Sequence, residues 1–79
     1  MTVKVNMFHT EGDEKVITLE ITHNEQMFFI TKRIALSESK TEEQYVAEAL
    51  AASQTEINAW KADTGPVNKV FDETTGTFV

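Results

Sequence analysis

The chain has 79 residues and no cysteine, so the sequence predicts one small domain over residues 1–79, with a single core and no disulfide. Seven basic and thirteen acidic side chains give a formal charge of −6, which repels phosphate backbones and anionic lipids and argues against direct binding of nucleic acid or membranes. The longest apolar run, Met27–Ile30, is far shorter than the roughly 20 residues of a membrane span, and the absence of cysteine favours a cytoplasmic protein.

The N-terminal segment, residues 2–8, has the alternation of a half-buried strand. Its apolar residues on one side are Val3, Val5 and Met7. In a regular strand the next apolar residue, Phe8, points to the opposite side. The polar stretch that follows contains Gly12, which adopts a positive φ without strain, so we expect a β-hairpin here.

Two further strands complete a predicted antiparallel meander over residues 1–36. The second strand has one apolar row on a single side, made of Ile17, Leu19 and Ile21. The third strand, Met27–Leu36, is rich in aromatic and β-branched residues. Its buried side is ambiguous because Lys32 shares a side with apolar residues such as Phe28, and a bulge near residues 31–33 is one way to resolve the conflict.

One long helix is predicted within residues 37–65. Ser39 followed three residues later by Glu42 forms a capping box, and Thr41 is a competing cap. One stripe of residues then recurs at helical spacing: Tyr45, Val46, Ala49, Leu50, Ser53, Ile57 and Trp60. Gly65–Pro66 ends the helix, because glycine suits a left-handed cap and proline cannot continue a helix. We expect the stripe to pack on the apolar row of the second strand.

Residues 66–79 form either a short second hairpin or an extended arm, with a polar turn between Phe71 and Phe78. The predicted fold class is therefore α+β. It consists of a three-stranded antiparallel β-meander (1–36) packed against one long α-helix (37–65), followed by the C-terminal hairpin or arm.

No pattern in the sequence indicates catalysis, a cofactor or a bound metal. His9 and His23 lie at opposite ends of the second strand, about 25 Å apart, and cannot share one ion. The acidic residues of the first turn, Glu11, Asp13 and Glu14, lack the ligand spacing of a calcium-binding loop. The three glycines are isolated, so no phosphate-binding loop is present. We therefore expect neither an enzyme nor a small-molecule substrate.

Two functions remain, and both require a protein partner. The first is a non-enzymatic acidic binding module, an inhibitor or accessory factor of the kind that phages encode. It would dock through Glu11, Asp13 and Glu14 on a basic protein surface such as a nucleic-acid-binding complex. The alternative is a self-assembling structural subunit, as in a virion or tail. Neighbouring copies would bury its C-terminal arm together with Phe8 and Phe29, which we expect on the sheet face that one helix cannot cover.

The predicted helix also has a second face that another protein could approach closely. This face is small and uncharged, and consists of Gln44, Ala47, Ala51, Gln54, Asn58 and Ala62. Alanine and glutamine are also good helix formers, which explains the same composition without any partner.

Overall fold

A computed structural model describes all of residues 1–79 and has a three-stranded antiparallel sheet, two consecutive helices and a C-terminal two-stranded hairpin. The elements are β1 (Thr2–Glu11), β2 (Glu14–His23), β3 (Gln26–Ala35), α1 (Glu42–Ala52), α2 (Gln54–Thr64), β4 (Phe71–Asp72) and β5 (Thr77–Phe78). The strand order of the larger sheet is β1-β2-β3. The predicted α+β class and β-meander are confirmed, and the C-terminal segment is a hairpin.

Two tight turns connect the strands of the meander. In the β1–β2 turn, Gly12 has a φ of +62° and the following residue has a negative φ, the pattern of a type II′ turn. In the β2–β3 turn, Asn24 and Glu25 have φ values of 53° and 63°, which is the pattern of a type I′ turn. Both turn types match the twist of the strands that they join.

A β-bulge in β1 reverses which side chains of its second half face the helices. Val5 lies opposite Leu19, whereas Met7 lies opposite the next residue of β2. Asn6 therefore has no partner, and the alternation resumes beyond it with the opposite phase. Met7 consequently points away from the helices and Phe8 points toward them. The prediction that Phe8 lies on the sheet face away from the helix is therefore wrong.

The third strand needs no bulge, because its pairing with β2 is regular along the whole of Gln26–Ala35. Phe28 faces the helices, and so does Lys32, whose Nζ lies 2.9 Å from a carboxylate oxygen of Glu56 on α2. The ion pair with Glu56 compensates the charge of Lys32, the residue that made the buried side of the third strand ambiguous in the sequence. Phe29 lies on the other face and is half exposed.

Ser53 divides the predicted long helix into two helices. Its side chain is fully buried, and its Oγ donates a hydrogen bond to the carbonyl oxygen of Ala49 at 2.7 Å. Such a bond to the preceding turn bends a helix, and the backbone at Ser53 has a ψ of −3° instead of a helical value. The amide of Ile57 still donates to the Ser53 carbonyl at 2.9 Å. The two helices therefore continue one another across the interruption.

The helix ends differ in detail from the prediction. Thr41, not Ser39, is the N-cap, since its side chain accepts a hydrogen bond from the amide of Gln44 at 3.2 Å. The Gln44 side chain accepts one from the Thr41 amide at 2.7 Å, which completes the capping box. At the other end Gly65 has a φ of −51°, so it is not a left-handed cap. The positive φ of this segment, 72°, is at Asn68.

The core lies between β2 and the helices. Its buried hydrophobic residues are Ile17, Leu19, Ile21, Tyr45, Ala49 and Ile57. Leu50 and Trp60 are partly buried and pack against this cluster, so the predicted contact between helix stripe and second strand is confirmed. Only nine of the 79 residues are buried, and a core this small leaves little stability in reserve.

The molecule is elongated, with principal dimensions of 60 × 18 × 17 Å. A ten-residue strand covers only about 33 Å of that length. The β4–β5 hairpin forms a separate sheet and follows the end of α2, which lies at the β2–β3 turn. Neither α1 nor α2 has the length and hydrophobicity that a membrane-spanning helix requires.

Candidate interaction surfaces

The open face, defined as the side of the β1–β2–β3 sheet away from the helices, has apolar residues on all three strands. These residues are Met7, Val16, Met27 and Phe29. All except Val16 are about half exposed. Near the centre of this face the hydroxyls of Thr18 and Thr31 lie 2.8 Å apart. The open face therefore mixes exposed apolar side chains with satisfied polar ones, and it includes Phe29 as predicted.

The acidic cluster of the β1–β2 turn consists of Glu11, Asp13 and Glu14. Arg33 of β3 lies beside it, with guanidinium nitrogens 3.3 Å from Glu11 and 3.7 Å from Glu14. The other carboxylate oxygen of Glu11 lies 3.2 Å from Nε2 of His9. Asp13 has no ion-pair partner. The cluster therefore presents less free negative charge to a partner than its composition indicates.

The hydrogen bond with His9 lowers the pKa of Glu11, and the hydrogen bond and positive charge of Arg33 lower it further. The hydrogen bond with Lys32 similarly lowers the pKa of Glu56. Both carboxylates are solvent-exposed and stay ionised to a lower pH than a free glutamate does. Their chemistry is that of surface ion pairs.

The two histidines lie at opposite ends of the sheet. His9 is near the end of β1 beside the β1–β2 turn, and His23 is the last residue of β2. The ring of His23 packs edge-on to Trp60, with centroids 6.4 Å apart, and Trp60 stacks on Phe28 at 5.3 Å. Trp60 therefore serves to pack the helix layer on β3. No group of three or more histidine, aspartate or glutamate side chains is placed to hold a metal ion.

The C-terminal hairpin, residues 69–79, carries the most exposed apolar surface of the chain. Its exposed apolar residues, each at least half accessible, are Val70, Phe71, Phe78 and Val79. Phe71 pairs with Phe78, so their rings lie on one face of the hairpin, whereas Val70 and Val79 lie on the opposite face. The two phenylalanine rings meet edge to face with centroids 5.9 Å apart. Lys69 lies against the same surface, with Nζ 5.4 Å from the centroid of the Phe78 ring. This surface is therefore apolar with one cation beside it.

Local hydrogen bonds hold the C-terminal hairpin in shape. The carboxylate of Asp72 accepts a hydrogen bond from the amide of Thr74 at 2.9 Å, and its carbonyl accepts one from the amide of Gly76 at 2.8 Å. The amide of Val79 donates to the carbonyl of Val70 at 3.0 Å. The apolar surface is thus presented on a formed turn.

The groove is a shallow cavity of about 430 Å³ between β1 and α1. Its lining residues are Val5, Glu42, Glu43, Val46 and Ala47. The sequence reasoning did not identify it, although Ala47 belongs to the small-residue helix face that was noted. The half-exposure of Val5 depends on where the helix crosses β1, and no local pattern encodes that.

The predicted contact residues do not form one site. Phe8 lies on the helix side, where its ring meets Tyr45 at a centroid distance of 6.2 Å, whereas Phe29 lies on the open face. The acidic cluster lies at the β1–β2 turn. Comparison with known protein families, curated proteins and solved structures finds no match for this chain.

Proposed function

We propose that this chain is a non-enzymatic protein-binding module whose main contact surface is the apolar side of the C-terminal hairpin. The observation that carries the proposal is the exposure of Phe71 and Phe78, 57% and 50%, whose rings meet on one face of the hairpin. Contiguous exposed apolar surface is typical of interaction sites, and aromatic side chains are frequent anchors in them.

The formed turn supports this proposal on energetic grounds. A binding surface that is already ordered loses less conformational entropy on association than a disordered tail does. The edge-to-face contact of Phe71 with Phe78 and the hydrogen bonds of Asp72 fix the apolar side chains before any partner arrives. The hairpin therefore offers two aromatic anchors at a low ordering cost.

A second candidate function is docking on a basic protein surface through negative charge. The formal charge of −6 favours it, because complementary charge accelerates association and suppresses wrong partners. Arg33 already pairs with two of the three carboxylates of the acidic cluster, which reduces the attraction available there. We therefore assign charge a supporting role and the apolar surface the main one.

Affinity capture with three forms of the chain tests the proposal. The wild type is compared with the double variant Phe71→Ser/Phe78→Ser and with Glu73→Gln, a control at an exposed position of the same hairpin. The proposal predicts that specifically captured protein is lost with the double variant at low and high salt, and is retained with the control. Capture that is the same with all three forms would contradict it.

Reversal of the acidic cluster separates the charge-based alternative from the apolar one. In a Glu11→Lys/Asp13→Lys/Glu14→Lys variant, charge-based docking weakens most at low salt, where screening is weakest. Docking through the apolar rings of the hairpin persists in this variant, because the hairpin contains none of the three reversed residues. Loss of binding on charge reversal, with no effect of the two phenylalanine substitutions, would establish the alternative.

A further inference from the structure

The groove and the C-terminal hairpin are complementary surfaces of the same chain. We propose that the partner of the hairpin is a second copy of this chain, with the hairpin of each copy seated in the groove of the other. The result is a dimer with two identical contacts related by a two-fold axis. This inference rests on the proposed function, because it names the partner that the hairpin binds.

Charge and polarity match across the proposed contact. The groove combines the apolar residues Val5 and Val46 with the carboxylates of Glu42 and Glu43. Neither carboxylate has an ion-pair partner. The hairpin combines apolar side chains with Lys69, which also has no ion-pair partner. Because the ammonium of Lys69 lies over the Phe78 ring, seating Phe78 in the groove brings this cation to the two carboxylates.

The acidic residues of the hairpin do not oppose this contact. Asp72 and Glu73 lie at the turn, at the other end of the hairpin from Lys69. The Asp72 carboxylate already accepts a hydrogen bond from the Thr74 amide. The positive end of the hairpin and the negative side of the groove are therefore the parts that meet.

The dimensions of the chain allow this exchange between antiparallel copies. The end of α2 lies at the β2–β3 turn, where Asn24 Nδ2 donates to the carbonyl of Thr64 at 3.3 Å. The hairpin follows this end of the body, and the whole molecule, 60 Å long, exceeds the roughly 33 Å of a ten-residue strand. Val5 is only three residues, about 10 Å, from Thr2, which pairs with Thr22 beside the same turn. Two antiparallel copies that overlap at this end thus bring the hairpin of each copy alongside the groove of the other.

The area that two such contacts cover is that of a weak dimer. Half-exposed phenylalanine rings leave roughly 100 Å² each, since a buried aromatic side chain covers about 150–250 Å². The two valines of the hairpin lie on its opposite face and do not contribute. With the matching area of each groove, the rings give a total on the order of 800 Å², which is the size of a weak, transient interface. A single hairpin in a single groove would cover half of that.

A charge exchange between two variants tests the contact directly. In the Lys69→Glu variant, an acidic hairpin meets the acidic groove of the other copy. In the Glu43→Lys variant, the hairpin still carries the cation Lys69, but the groove that it meets is less acidic and contains a new cation. A mixture of the two variants restores an opposite-charge pair at both contacts. Sedimentation velocity from about 1 µM to about 1 mM covers the dissociation constants of weak dimers.

We expect a concentration-dependent dimer of the wild type. Each variant alone should raise the dimer dissociation constant about tenfold or more, and an equimolar mixture should restore it to within about threefold of the wild type. Glu42→Lys serves as a second groove variant, and far-UV circular dichroism verifies that every variant is folded.

A wild type that remains monomeric throughout, or a mixture no tighter than either variant, would overturn the dimer. Neither result would decide the proposed function, which the capture experiment with Phe71→Ser/Phe78→Ser tests separately. A monomeric wild type whose hairpin still captures a different protein would overturn only the second copy as partner.

Discussion

Replacing Glu25 by glycine should stabilise the fold, although glycine usually destabilises an ordered segment. Glu25 has a φ of 63° in the β2–β3 turn, and its exposed side chain makes no hydrogen bond or ion pair. A left-handed backbone costs a residue with a Cβ about 1–2 kcal/mol, and the extra freedom of glycine in the unfolded chain costs about 0.5–1 kcal/mol. The difference predicts that Glu25→Gly raises the free energy of unfolding by about 0.5–1 kcal/mol.

Urea unfolding followed by Trp60 fluorescence measures this change. Trp60 is the only tryptophan, and it stacks on Phe28 and contacts the residue that precedes the turn, so its emission reports on this end of the molecule. Glu25→Ala is the matched control, because it removes the carboxylate and retains the Cβ. We expect the alanine variant to stay within about 0.5 kcal/mol of the wild type. A glycine variant no more stable than the alanine variant would refute the left-handed conformation at Glu25.

Three further predictions concern other parts of the body. Tyr45→Phe should lower the free energy of unfolding by about 1–2 kcal/mol in urea unfolding, because the hydroxyl both donates to the Ser37 carbonyl and accepts from the Ser37 amide. Ser53→Ala should leave that free energy unchanged or raise it by up to about 1 kcal/mol, because the hydroxyl disappears together with its hydrogen bond and alanine favours a helix. The pKa of the Glu11 carboxyl should rise in His9→Ala, measured by NMR titration of the carboxyl carbon.

The sign of the pH effect follows from the lowered pKa of Glu11. A folded-state pKa below the unfolded value stabilises the fold at pH values above the unfolded pKa. That contribution is lost as the pH falls through the folded pKa, at values below the ordinary 4.5. In His9→Ala the folded-state pKa lies closer to the unfolded value, so the contribution of Glu11 should be smaller and its loss complete at a higher pH than in the wild type.

Each of these expectations has a contrary result. A Tyr45→Phe variant as stable as the wild type would mean that the hydroxyl does not fasten the loop before α1. A loss above about 1 kcal/mol in Ser53→Ala would mean that the bend is required for packing. An unchanged Glu11 titration in His9→Ala would mean that Arg33 alone determines the shift.

The parts of the fold that local sequence encodes were predictable. Alternation and turn residues identified the meander, and the capping region near Thr41 and the stop at Gly65–Pro66 bounded the helical segment. The bulge at Asn6 was not predictable, because one unpaired residue is visible only against the register of the neighbouring strand. The helix interruption likewise arises from the burial of Ser53, since serine at an exposed helical position need not bend the helix.

The candidate contact surfaces were predictable only in part. The exposure of Phe29 followed from alternation in a regular strand. The direction of Phe8 was predicted wrongly, since the bulge turns its side chain toward the helices. The pairing of Arg33 with Glu11 and Glu14 spans all three strands and depends on their register, so composition overstated the free charge of the turn. The groove depends on where α1 crosses β1, which is a tertiary property.

Amide NMR spectra of the wild type over a dilution series test the contact between hairpin and groove most directly. The account predicts that signals of residues 69–79 shift with concentration together with those of Val5 and Val46 in the groove. The signal of Phe29, on the open face, should stay constant. Hairpin and groove signals that do not change across the series, or concentration-dependent shifts confined to the open face, would contradict the account.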